Sequence, residues 1–60
     1  KEGPVHLKKN CKIGTHSTIM PGVTIGENSI IGSYSFVTKN IPKNEIWVGI
    51  PAYFKKSLDK

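Results

Sequence analysis

Ile13-Gly14-Thr15-His16-Ser17-Thr18-Ile19-Met20-Pro21-Gly22-Val23-Thr24-Ile25-Gly26-Glu27-Asn28-Ser29-Ile30-Ile31-Gly32 is the stretch that decides the fold. Isoleucine returns at every sixth residue, at Ile13, Ile19, Ile25 and Ile31, and Gly14, Gly26 and Gly32 each follow one of them. Working outward, the same period takes in Leu7 on one side and Val37 on the other. Four places after each aliphatic residue stands a smaller or medium side chain: Cys11, Ser17, Val23, Ser29, Ser35 and Ile41. A fixed period of this kind governs the architecture before residue propensities are consulted.

A helix needs apolar residues at steps of three and four, and here it would have to absorb Pro21, Gly22, Gly26 and Gly32 among many β-branched side chains. A flat hairpin would alternate with period two along its length. Neither pattern is present. Short β-favouring steps are instead separated by corner pairs, Thr15-His16, Pro21-Gly22, Glu27-Asn28 and Ser33-Tyr34. The class is therefore all-β, a parallel coil with one large aliphatic side chain per hexad pointing inward. Three hexads close a triangular turn, so residues 7–42 make two turns. Leu7 is predicted beneath Ile25, Ile13 beneath Ile31 and Ile19 beneath Val37.

Two units are expected along the chain: residues 1–42 as coils and residues 43–60 as a strand, turn and tail. Ile41-Pro42-Lys43-Asn44 leaves the repeat, Glu45 to Ile50 reads as a short strand carrying Trp47, and Gly49-Ile50-Pro51-Ala52 reads as a turn. Tyr53 to Lys60 reads as a short helix or a loose tail. A two-turn stack is thin for a repeat protein, which generally needs about three units. Further coils are expected before Lys1, with Lys1-Glu2-Gly3-Pro4 as a loop entered in mid-protein.

The net charge of +5 over 60 residues raises anionic partners. Lysines gather at Lys8, Lys9 and Lys12 and again at Lys39, Lys43, Lys55, Lys56 and Lys60, while Glu27 is the only charged residue between Ile13 and Thr38. Clusters of that kind fit a phosphate-bearing small molecule. No aromatic residues are interleaved along a basic groove, so nucleic acid is not the expected partner. Cys11 is the only cysteine, no disulfide can form within the chain, and nothing in these residues resembles a signal peptide or an apolar run long enough to span a membrane. A cytoplasmic protein that does not engage a membrane is expected.

Ile13-Gly14, Met20-Pro21-Gly22-Val23-Thr24-Ile25-Gly26, Ile31-Gly32, Val37-Thr38-Lys39-Asn40-Ile41-Pro42 and Gly49-Ile50-Pro51-Ala52 together resemble the hexapeptide-repeat acetyltransferases. The branch resembled contains the sugar O-acetyltransferases and nucleotide-sugar N-acetyltransferases. The resemblance implies a left-handed β-helix in a homotrimer, with transfer of an acetyl group from acetyl-CoA to a hydroxyl or amine of a sugar-type acceptor and no metal requirement. It also implies cofactor contacts. Thr15 matches a residue whose coil meets the pantetheine arm, and Ser33 matches one whose backbone meets it a coil later. Thr38 and Lys39 match the pair near the nucleotide end, and Lys56 matches a basic tail position that reaches the phosphates. Lysine suits phosphate as a point charge. The catalytic base in similar enzymes is a histidine one coil or more earlier, so none is assigned here; His6 is an imperfect match and His16 an exposed corner. Lys12 stands where an aromatic residue is common in the family, and Tyr34 where a small one is.

Cys11, Ser17, Ser29 and Ser35 read as inward-facing filler rather than chemistry. Trp47 reads as an anchor for the tail rather than a base-stacking platform. Two other readings of the scaffold are a metal-dependent protein similar to the γ-class carbonic anhydrases, for which His6 and His16 supply two imidazoles at a different spacing, and a non-catalytic interaction module.

Overall fold

The structure is a computed structural model that describes residues 3–59. The expectations for Lys1, Glu2 and Lys60 lie outside the described residues. Six two-residue strands occupy the repeat: β1 (His6–Leu7), β2 (Lys12–Ile13), β3 (Thr18–Ile19), β4 (Thr24–Ile25), β5 (Ile30–Ile31) and β6 (Phe36–Val37). Two longer strands follow, β7 (Glu45–Gly49) and β8 (Ala52–Ser57). β1 pairs with β4, β2 with β5 and β3 with β6, all parallel, so each coil lies on the previous one and the strands form three walls. The registers are Leu7 with Ile25, Ile13 with Ile31 and Ile19 with Val37, as the period predicts.

Burial rises along the stack. Leu7 is 56% exposed and Ile13 and Ile19 are half-buried, whereas Ile25, Ile31 and Val37 are at 0%, 1% and 0%. The second coil is the core because it has the first coil beneath it and a third layer above. The step into that third layer is shorter than the period predicts. Ile41, placed by the repeat among the fifth-place residues, instead bridges to Ile25 and joins the buried core. Trp47 pairs with Ile31 as β7 adds to the wall of β2 and β5. Both steps are two residues shorter than a full turn, because the chain passes from Val37 to Ile41 in four residues instead of six. An aliphatic side chain is needed over Ile25 to close the column, and Ile41 supplies it.

The helix or loose tail predicted for Tyr53 to Lys60 is corrected: residues 52–57 form β8, antiparallel to β7. The Ile50-Pro51 turn, with a cis peptide bond, reverses the chain. β7 would otherwise leave its outer backbone groups unpaired, and a returning strand satisfies them. Trp47 does anchor this tail. Its ring meets Phe54 edge-on at 6.4 Å, and its Nε1 donates to Glu45 Oε1 at 2.9 Å.

Buried hydroxyls join the coils where the third layer departs from the ladder. Ser29 Oγ donates to Pro42 O and accepts from Glu45 N at 3.2 Å. Ser35 Oγ donates to Gly32 O at 2.7 Å and accepts from Gly49 N at 3.1 Å. Among the described residues no buried side-chain polar atom lacks a partner. These serines therefore bind layers together as well as filling space. Cys11 is only half-buried.

One edge of the prism is built from asparagine. Asn10, Asn28 and Asn44 have φ of 62°, 63° and 58°, in the left-handed region that asparagine tolerates better than other side chains. Asn28 Nδ2 donates to Asn44 Oδ1 at 3.1 Å and Asn44 Nδ2 donates to Asp59 Oδ1 at 3.0 Å, while Leu58 N donates to Asn44 O at 2.7 Å. The end of the chain is thus tied to the corner column. Asn44→Ala is expected to lower stability by about 2 kcal/mol, combining the left-handed penalty with lost, partly exposed hydrogen bonds. Asn44→Gly should lose about half of that, since glycine keeps the backbone conformation without strain. Chemical denaturation of the two variants checks the order; equal losses would show that the backbone conformation contributes nothing.

Candidate cofactor-binding edges

Thr15 and Ser33 occupy equivalent corners of successive coils, after β2 and β5. Their stacking is tight. Tyr34 N donates to Thr15 O at 2.9 Å, and Gly14 lies so close to the coil above that an added Cβ would overlap the Ser33 backbone nitrogen. Both residues are exposed, so the column faces solvent along one edge of the prism. Backbone groups and small hydroxyls repeat there at the spacing of adjacent strands, roughly 4.8 Å. An extended, amide-bearing chain can lie against such an edge.

Thr38 and Lys39 lie on a different edge, after β6, where the shortened coil turns toward Ile41. They line a shallow concavity of about 310 Å³ with Met20, Pro21 and Gly22 of the coil beneath. Asn40 completes its wall, and its Oδ1 accepts from Thr24 N at 2.9 Å, which holds the turn in place. Lys39 is exposed and free to extend over the concavity. Asn40 was not among the residues singled out from sequence, although it falls within the Thr38-Lys39-Asn40 segment that carried the resemblance. Its part is to fix the turn, and a side-chain-to-backbone bond across sixteen residues leaves no local signal.

Lys56 stands apart from both pairs. It is exposed on β8, opposite Ile46, at the outer strand of the wall formed by β2, β5, β7 and β8. The structure therefore brings Thr15 to Ser33 and Thr38 to Lys39, leaves the two pairs on edges separated by the β3–β6 wall, and puts Lys56 on a third surface. His6 is exposed in β1 opposite Thr24, and His16 is exposed at the Thr15 corner. Among the described residues no three His, Cys, Asp or Glu side chains are grouped to hold a metal ion.

A prism of six-residue coils with ligand-sized edges defines the class, and the comparisons give the family. The model of the bacterial transferase hexapeptide family (six repeats) matches residues 4–39, and the chain belongs to that family. It is 52% identical over 48 residues to the galactoside O-acetyltransferase of Escherichia coli (strain K12), which covers 80% of this chain and 24% of that protein. It superposes on a galactoside acetyltransferase in complex with coenzyme A with a TM-score of 0.91 and 44% identity, over 95% of this chain and 28% of the other. It superposes equally well on AntD, an N-acyltransferase from Bacillus cereus in complex with dTDP and 3-hydroxybutyryl-CoA. There the TM-score is 0.92 at 41% identity, over 98% of this chain and 31% of that one. The chain spans between 24% and 30% of the length of the curated relatives it matches. Like the hexapeptide-repeat acetyltransferases, it is a left-handed parallel β-helix.

Proposed function

We propose that this chain forms the coenzyme A-binding coils of an acyltransferase that moves an acetyl group from acetyl-CoA to a hydroxyl or amine of a sugar or nucleotide-sugar acceptor. The observation that carries this is the pair of edges just described, Ser33 over Thr15 and Thr38-Lys39 lining a concavity, in a chain of this family. In the reaction the acceptor oxygen or nitrogen attacks the thioester carbonyl, a C–O or C–N bond forms and the C–S bond breaks. The acceptor's proton passes to a base, and coenzyme A leaves as the thiol. The activated acyl group comes with the carrier. The work of these coils is to hold the carrier in line, which is where orientation lowers the barrier.

Thr15 and Ser33 lie along the pantetheine arm, Lys39 and Lys56 reach the nucleotide phosphates, and Thr38 flanks the nucleotide end. The two edges lie on either side of the β3–β6 wall, and a neighbouring prism would bring the Thr15 edge of one copy to the Lys39 edge of another, an arrangement that a closed ring of three copies around a threefold axis repeats. The coenzyme A and dTDP named in the relatives' complexes support the donor and the acceptor class. A cytoplasmic setting follows the same proposal, with Cys11 as a free thiol; no helix of the described residues is long and apolar enough to cross a membrane.

Calorimetric titration of the full-length protein with coenzyme A tests the proposal. Lys39→Ala is expected to weaken binding about tenfold, the scale of one hydrogen bond to a charged group. Dephospho-CoA, titrated in parallel, reports which phosphate Lys39 meets. A folded wild-type protein that binds no coenzyme A species would sink the acyltransferase assignment.

A further inference from the structure

Among the described residues five non-glycine positions have positive φ, and their chemistry divides by edge. Asn10, Asn28 and Asn44 fill one edge with a side chain suited to that conformation. On the next edge the same conformation is held by His16 and Tyr34, at φ of 60° and 58°. Histidine takes that conformation more readily than most side chains, but a tyrosine there is an outlier, and such strain gathers where a side chain is needed for something besides folding. The two rings stack on one another, 5.2 Å between centroids and 18° between planes. Tyr34 is nonetheless 64% exposed and His16 is also exposed. The stack therefore covers ring faces and leaves ring edges, a phenol hydroxyl and an imidazole along the outside of the prism.

Those groups flank the column of Thr15 and Ser33, their immediate neighbours in the chain. Aromatic edges carry partial positive charge, and the hydroxyl and a ring N–H donate hydrogen bonds. The complementary ligand is a row of carbonyl oxygens. Pantetheine has two amide carbonyls joined through a β-alanine unit, about 4.8 Å apart when extended by ordinary bond geometry. That spacing is close to the step between the two rings.

We propose that the His16–Tyr34 stack is a binding wall for the pantetheine arm, with the Tyr34 hydroxyl donating to one amide carbonyl and the His16 imidazole facing the other. This rests on the acyltransferase assignment and assigns to the arm a contact that a glycine or asparagine at those corners would not make. It separates two parts of the cofactor: the stack holds the arm, and Lys39 holds the phosphates.

Tyr34→Phe is the decisive variant, because it keeps the ring, the stack and the left-handed strain while deleting only the hydroxyl. The full-length protein is titrated with coenzyme A and with 4′-phosphopantetheine, and its thermal midpoint is recorded. The expected result is about fivefold weaker binding of both ligands, the scale of one ordinary hydrogen bond, with an unchanged midpoint. Tyr34→Asn, which suits the corner, is expected to weaken both at least as much while the midpoint holds or rises. Unchanged affinities in a wild-type protein that binds coenzyme A would overturn the wall and leave the acyltransferase assignment standing. A folded wild-type protein that binds neither ligand would overturn both.

Discussion

Gly14→Ala is expected to lower folding stability by about 3 kcal/mol, at the upper end for an overpacked core site. An added Cβ would stand 2.7 Å from the Gly32 carbonyl carbon and from Ser33 Cα, and would overlap the Ser33 nitrogen. All three are backbone atoms of the coil above, held by the bond from Gly14 N to Ile31 O at 2.7 Å and by the β2–β5 pairing. They cannot yield singly, so the coils must separate. Gly14 does not have a positive φ, and the effect is steric contact rather than backbone strain. Gly26→Ala should behave alike, since its Cβ would stand 2.5 Å from Lys43 N. Gly32→Ala supplies the contrast. The atom it would overlap is Val48 Cγ1, a side-chain atom that an off-rotamer shift can move without parting the coils, and a loss of about 1 kcal/mol is expected. Urea denaturation of the three variants checks this. Equal losses at Gly14 and Gly32 would show that inter-coil distance is not the constraint. Because Gly14→Ala also parts Thr15 from Ser33, coenzyme A binding should fall beyond the loss in folded fraction.

The six-residue period made the first two coils legible, down to which isoleucine lies over which, because every rung needs the same inward side chain at the same step. The period stopped being informative where two residues are missing between Val37 and Ile41. From there Ile41 looks like a fifth-place residue by count, and only the vacancy over Ile25 identifies it as the next rung. β8 was illegible for a different reason. Ala52-Tyr53-Phe54-Lys55-Lys56-Ser57 has no clean alternation, and its strand state comes from the free edge of β7 rather than from its own residues. Tertiary pairing decides such segments.

The candidate site was legible only as a set of residues matching a family pattern, and their arrangement was not. Thr15, Ser33, Thr38, Lys39 and Lys56 were picked out by resemblance, and resemblance carries no distances. The structure places them on three separate surfaces of one prism, which is why the ligand is proposed to lie between copies. The corner conformations were also hidden. Asparagine at Asn10, Asn28 and Asn44 is a recognisable sign of left-handed backbone, but tyrosine at Tyr34 points the other way, and the stack emerges only when the coils are superposed.

Ile25→Ala is expected to be the most damaging single substitution, at about 4 kcal/mol, within the usual range for isoleucine truncated in a closed core. Ile25 is fully buried, paired to Leu7 below and bridged to Ile41 above, so the vacated space has no solvent-facing side from which it can refill. Ile25→Val, which removes one methyl group, should lose only about 1 kcal/mol. Denaturant midpoints of the two variants test the ratio. A loss below that of the valine variant would show that the second coil is not where the chain's stability resides. The same pair separates packing from ligand contact. Ile25 points inside the prism, away from both edges, so the folded variant should bind coenzyme A within about twofold of wild type, as independent sites do. Gly14→Ala should lose stability and affinity together. Parallel losses of affinity in Ile25→Ala would mean that the edges depend on the core more closely than rigid coils allow.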